Sequence, residues 1–228
     1  MSFIQPPTLE LLPHPFFIAT EGMGDARLID NLLEFRAITT CSVGCPSRQS
    51  ARNKTGKDAF PEYLASIQFA RQRATSVPLN GLLVVADADD DATAAFNAIK
   101  AAMSSAEFPA PVTPFSIEGD KFRVGVYLLP GANRTGTLEH LLLDAAFANA
   151  PKLERCLEEF SGCTGVLKSQ RPNKLAKMRM SVLAGAFCED NPWCTVNLML
   201  CDPNNPVPIN SAHFDNLADF LIRFVAQE

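Results

Sequence analysis

Through residue 104, three short apolar runs alternate with three amphipathic segments, and this alternation narrows the possible folds more than any other feature of the chain. Phe16-Phe17-Ile18-Ala19, Ala37–Val43 and Leu82–Ala86 read as strands, the first and last apolar enough to be buried on both faces. A helix is predicted from Asp25, where Leu28, Ile29, Leu32 and Phe35 recur at helical spacing. Two more are predicted over about Phe60–Arg73, with Tyr63, Ile67 and Ala70 on one face, and Ala92–Met103, with Phe96, Ile99 and Met103 inward. Parallel neighbours cannot be joined by a tight hairpin, so strand–helix–strand–helix–strand–helix specifies a parallel sheet with crossover helices. The expected class is α/β: a central, mainly parallel sheet flanked by helices, with an added hairpin and C-terminal helices.

The pattern changes beyond Pro109. Phe115–Ile117 and Val124–Leu129 read as a hairpin closed at Glu118-Gly119-Asp120. Helices follow near Thr137 and over roughly Lys152–Phe160, Lys174–Phe187 and His213–Ala226, with Asp202–Pro208 as a loop. The expected division is an α/β core over residues 1–130 and a mainly helical extension over 131–228, packed on the core. With 47% apolar residues, the chain can fill such a core.

Twenty Lys and Arg against 25 Asp and Glu give a net charge of −5, which excludes coating nucleic acid by bulk attraction while leaving local basic patches open. Met1–Pro15 lacks the basic start and apolar core of a signal peptide, and the apolar runs are too short to span a bilayer. The seven cysteines are odd in number and form no paired finger or ribbon spacing, so they read as reduced thiols of a cytoplasmic protein. His14, His140 and His213 sit in unrelated contexts.

In parallel sheets, functional groups collect at the carboxyl ends of strands. Two acidic features fall there independently: Glu21 after the first strand, and Asp87-Ala88-Asp89-Asp90-Asp91 after the third. Asp87 and Asp89, two apart, project to one side if the extended geometry persists. Close carboxylates repel unless a cation or a shared proton relieves them, and Mg²⁺ suits one or two carboxylates plus a phosphate. Helix capping competes as an explanation, and accounts well for one or two of the acids, such as Asp90 and Asp91.

Other motifs fail. An EF-hand needs Gly and Glu where Ala92 and Ala98 stand. The phosphate-binding loop G-x-x-x-x-G-K-[ST] is absent, since Gly44 to Gly56-Lys57 has the wrong spacing. A dehalogenase-type phosphatase would open with its Asp-x-Asp and complete it with a later acidic pair; neither holds here.

With Glu21-Gly22 and Asp25 after the first strand and Asp87-x-Asp89 after the third, residues 16–130 resemble the Toprim domain of topoisomerases, bacterial-type primases and overcoming-lysogenisation-defect nucleases. The remainder resembles an uncharacterised bacterial branch of Toprim-related proteins. Its echoes are Leu129-Pro130-Gly131, Gly136-Thr137-Leu138-Glu139, Asn173-Lys174-Leu175-Ala176-Lys177, and His213-Phe214 with Leu217 and Phe220-Leu221.

The resemblance implies a Rossmannoid core, Glu21 as general acid or base, and Asp87 and Asp89 as holders of Mg²⁺ (or Mn²⁺), with Asp91 an additional acid. It implies phosphodiester cleavage or phosphoryl transfer on nucleic acid or a nucleotide. A non-catalytic binding or sensor module is the alternative, which the acidic net charge favours. Gly24 before Asp25 departs from the pattern, and Tyr63 and Tyr127 lie in no strand-passing context, which argues against topoisomerase activity.

Glu139 reads either as a further metal ligand or as an ordinary acid of a first helical turn. Two acid-poor segments, Arg48–Lys57 and Lys168–Arg179, read as phosphate clamps or as solvated surface. Lys174 and Lys177 share a helical face, and a lysine near a phosphoryl centre stabilises developing charge.

Overall fold

A computed structural model describes residues 12–47, 54–73, 77–166, 170–188, 191 and 193–226. Strands β1 (Phe16–Thr20), β2 (Cys41–Gly44) and β3 (Gly81–Asp87) are joined through helices α1 (Met23–Phe35) and α2 (Phe60–Arg73). Helix α3 (Ala92–Ser105) leads to a two-residue strand β4 (Ile117–Glu118) and then β5 (Arg123–Leu129). Among the described residues the sheet has five strands in the order β2-β1-β3-β5-β4. The first four are mutually parallel, and β4 pairs antiparallel with β5. The expected α/β class is therefore present, and so is the hairpin, although its first strand is Ile117–Glu118 rather than Phe115–Ile117 and Glu118 pairs with Val124 instead of turning.

Alternation along the strands explains why the sheet carries helices on both faces. Phe16 and Ile18 of β1, Leu83 and Val85 of β3, and Tyr127 and Leu129 of β5 enter one core with α1. Phe17, Ala19, Leu82, Val84, Val124 and Val126 enter the other, with α2 and α3. Every residue of β3 is buried. Burying each Leu or Val fully contributes about 1.5–3 kcal/mol, so this strand is a main source of stability.

The first core is completed by α4 (Leu138–Asn149), α5 (Pro151–Cys163), α6 (Pro172–Phe187), a short α7 (Val196–Met199) and α8 (Asp215–Val225). Phe214, Leu217, Phe220 and Phe224 of the α8 region pack into it, and Phe224 meets Phe16 edge-on with ring centroids 5.4 Å apart. The C-terminal helices thus cover one face of the sheet. Among the described residues, no helix is long and apolar enough to cross a membrane.

Three local expectations are corrected. The second strand begins at Cys41 rather than Ala37, because Ala37, at φ 55°, belongs to the turn that ends α1. Phe35 keeps helical spacing but is 48% exposed at the last turn of α1. The seven cysteines are not all free thiols: Cys188 and Cys194 are joined as a disulfide, with Cα atoms 6.1 Å apart across a turn in which the Cys194 amide donates to the Asn191 carbonyl. Cys41, Cys45, Cys156, Cys163 and Cys201 are free.

Candidate functional site at the carboxyl edge

The chain leaves β1 for β2 on one side and later returns to place β3 on the other. The carboxyl ends of β1 and β3 therefore flank a topological switch point, where helices diverge and leave a crevice. Glu21 follows β1 and Asp87 ends β3, so both stand at that crevice. They line a cavity of about 360 Å³ with Asp25 from α1, Glu139 from α4 and Lys177 from α6. Thr195, Val196 and Asn197, at the start of α7, form the opposite wall.

Three of these carboxylates are positioned by backbone. The Asp87 amide donates to Glu21 Oε2 at 3.3 Å, tying the two strand ends together. The Leu138 amide, at the start of α4, donates to Asp87 Oδ1 at 2.8 Å. The Gly22 amide donates to Asp25 Oδ2 at 2.9 Å, so Asp25 closes the N-terminus of α1. Gly56, at φ 62°, brings its loop so close that a Cβ there would stand 3.1 Å from Glu21 Oε1.

Two buried carboxylate oxygens, Asp25 Oδ1 and Glu139 Oε2, have no hydrogen-bond partner among the described residues. Buried acceptors without partners are costly and rare, and here both lie among residues that line one cavity. Burial and then the Asp87, Glu21 and Glu139 carboxylates push Asp25 well above the usual carboxylate range. Burial first, then Glu21, raises Asp87 to about 7, despite the opposing Leu138 amide and Lys177. Glu21 is also raised by burial, with Lys57 as the largest opposing influence. Desolvation pulls Lys177 down, but Glu139, Asp87, Glu21 and Asp89 together outweigh it and hold the ammonium more firmly charged.

The two members of Asp87-x-Asp89 part company. The strand geometry ends at Asp87, and Asp89 adopts φ 52° while exchanging both backbone hydrogen bonds with Gly136 at 2.7 Å. The Asp89 carboxylate pairs with Lys57 on an adjoining face, where Asp90 and Asp91 also lie and which Glu21 reaches from its other side. Asp91 caps α3 by accepting from the Ala94 amide at 2.9 Å, and Asp90 accepts from Asn173 Nδ2 at 3.0 Å. Among the sequence-derived candidates, Glu21, Asp87, Glu139 and Lys177 thus share the cavity, Asp89 and Asp91 stand on its neighbouring face, and Lys174 is exposed outside both. Arg48, Arg52 and Lys168 lie outside the described residues.

Asp25, which in the sequence is part of a motif and a helix start, is a further candidate that only the fold brings to the cavity. Sequence offers no signal for it beyond an acid in a first helical turn, which is ordinary. Gly136-Thr137-Leu138-Glu139 gains a physical meaning here: the Gly136 backbone pairs with Asp89, the Leu138 amide holds Asp87, and Glu139 enters the cavity.

Among the described residues, no three His, Cys, Asp or Glu side chains stand as a ready-made metal cage. The donor chemistry nevertheless fits a hard cation: all-oxygen, partly unpaired, and too few to replace every water of Mg²⁺. Comparison with curated proteins finds no match, and neither does comparison with solved structures. A family model does match, over residues 15–222, and so spans both the sheet and the helices that close its C-terminal half. The chain belongs to the family described as Protein of unknown function (DUF3226).

Proposed function

We propose that the carboxyl-edge cavity is a Toprim-type site, at which a Mg²⁺-dependent phosphodiester cleavage or phosphoryl transfer takes place on nucleic acid or a nucleotide. The observation that carries this reading is the meeting of Glu21, Asp25, Asp87 and Glu139 at the switch point, two of them with unpartnered buried oxygens, opposite Lys177. Such a set is destabilising in isolation and becomes favourable around a cation.

Asp87 and Glu21 would hold the cation, with Asp25 and Glu139 alongside and Asp89 within reach from the adjoining face. Bound there, Mg²⁺ would polarise a phosphate oxygen. Glu21, its pKa raised by burial, would accept and return the proton. Lys177, held charged by four carboxylates, would neutralise a phosphoryl oxygen. Lys174, exposed one helical turn before Lys177, would draw the anion toward the opening.

A non-catalytic binding module is the second reading, and the net charge of −5 favours it. Hydrolysis of a chromogenic phosphodiester and of a single-stranded oligonucleotide, each with Mg²⁺ and Mn²⁺, separates the two. Turnover lost in both Glu21→Gln and Asp87→Asn supports the enzyme. No turnover in the parent, with nucleotide capture that survives both substitutions, supports the module and contradicts the catalytic reading.

A further inference from the structure

Two of the sequence echoes, Leu129-Pro130-Gly131 and His213-Phe214 with Phe220, have no part in the acidic cavity. They meet elsewhere, around a larger cavity of about 530 Å³ between the end of β5, α4 and α8. Its floor is aromatic: Phe115, partly exposed, meets buried Tyr127 edge-on with centroids 5.0 Å apart, and Tyr127 meets buried Phe220 at 5.3 Å. Its exposed rim carries Arg134, Arg223, His213 and Asn216, and no acidic side chain is among its lining residues.

Arg134 is tied to Asp144 at 2.7 Å. The Arg223 guanidinium lies 5.3 Å from the Phe220 ring centroid and, among the described residues, has no carboxylate partner. An aromatic floor beneath a cationic rim selects a flat ring that carries negative charge: the ring takes the apolar surface and the acid group meets the guanidinium. The volume is that of an ordinary small-molecule site.

We infer that this cavity binds a planar aromatic anion, a ring bearing a carboxylate or a phosphate. The site is separate from the acidic cavity but shares a loop with it. Gly131, Ala132 and Arg134 line one side here, and further along the same loop Gly136 pairs with Asp89 and Leu138 holds Asp87. The inference does not rest on the phosphoryl-transfer reading.

The test is a fluorescence titration of the full chain with anilinonaphthalene sulfonate, an aromatic anion whose naphthalene sulfonate part is planar, with circular dichroism to confirm folding. Saturable binding is expected, about tenfold weaker or more in Arg134→Gln/Arg223→Gln, since each lost charged hydrogen bond is worth roughly that factor. Ala132→Trp, on the exposed loop, should block the cavity and abolish binding. Lys100→Gln, at a surface cation–ring pair with Phe96, should leave binding unchanged. Displacement of the dye by salicylate identifies a carboxylate ligand, and displacement by adenosine monophosphate a nucleotide. Dye affinity unaltered in both the double variant and Ala132→Trp, or displacement by neither competitor, would overturn the inference.

Discussion

The cavity behind Asp87 and the face in front of Asp89 are separated by two residues, yet they treat carboxylates in opposite ways. On the outer face the three acids that follow β3 each have a partner: Asp89 has Lys57, Asp90 has Asn173, and Asp91 has the Ala94 amide. In the inner cavity Asp25 and Glu139 each keep an oxygen unpartnered, and burial raises Glu21, Asp25 and Asp87 above their ordinary range. The outer acids serve the fold, whereas the inner ones burden it, and that burden is the ground on which the inner set is proposed as the site.

The largest expected difference between the two regions is in pH dependence. Folded Asp87 keeps its proton until about pH 7, while in the unfolded chain it loses it near pH 4. Between those values the folded state binds more protons, so stability falls as pH rises, by at most about 4 kcal/mol from this group. Glu21 and Asp25 add to the same slope. Urea unfolding across pH 4–8 without metal should show the decline, and stability that rises through this window would break the comparison.

Asp87→Asn comes next. The amide oxygen can still accept from Leu138, and the charge repulsion is gone, so metal-free stability at pH 8 should rise by about 2 kcal/mol. Asp91→Ala, in contrast, removes a helix cap and should lower stability by about 1 kcal/mol. The smallest effect belongs to Asp89→Ala, which breaks a half-exposed ion pair and should shift stability by less than about 1 kcal/mol. Thermal denaturation of the three variants side by side checks their order and signs.

The order of strands and helices through residue 104 was legible because apolar period and chain punctuation agree there. Phe60–Arg73 was placed to the residue. The second strand was drawn too early because Ala37 and Ile38 are apolar, while the left-handed turn at Ala37 depends on how α1 ends. Helix α7, at four residues, is too short to carry a period, so the wall it gives the cavity was not foreseen.

At the site, Glu21 and Asp87 followed from strand ends alone. Asp89 was grouped with Asp87 on the assumption of continued extended geometry, which its pairing with Gly136, 47 residues later, replaces. Asp25 was hidden because an acid in a first helical turn is ordinary. Only the fold turns it beneath Asp87.

Calorimetric titration of Mg²⁺ and Mn²⁺ into the metal-free protein, beside folded Asp87→Asn and Asp89→Asn variants, tests the central claim most directly. The account predicts binding in the parent, its loss in Asp87→Asn, and a weaker effect of Asp89→Asn. No binding in the parent with nucleotide present, or binding undiminished in Asp87→Asn, would contradict it.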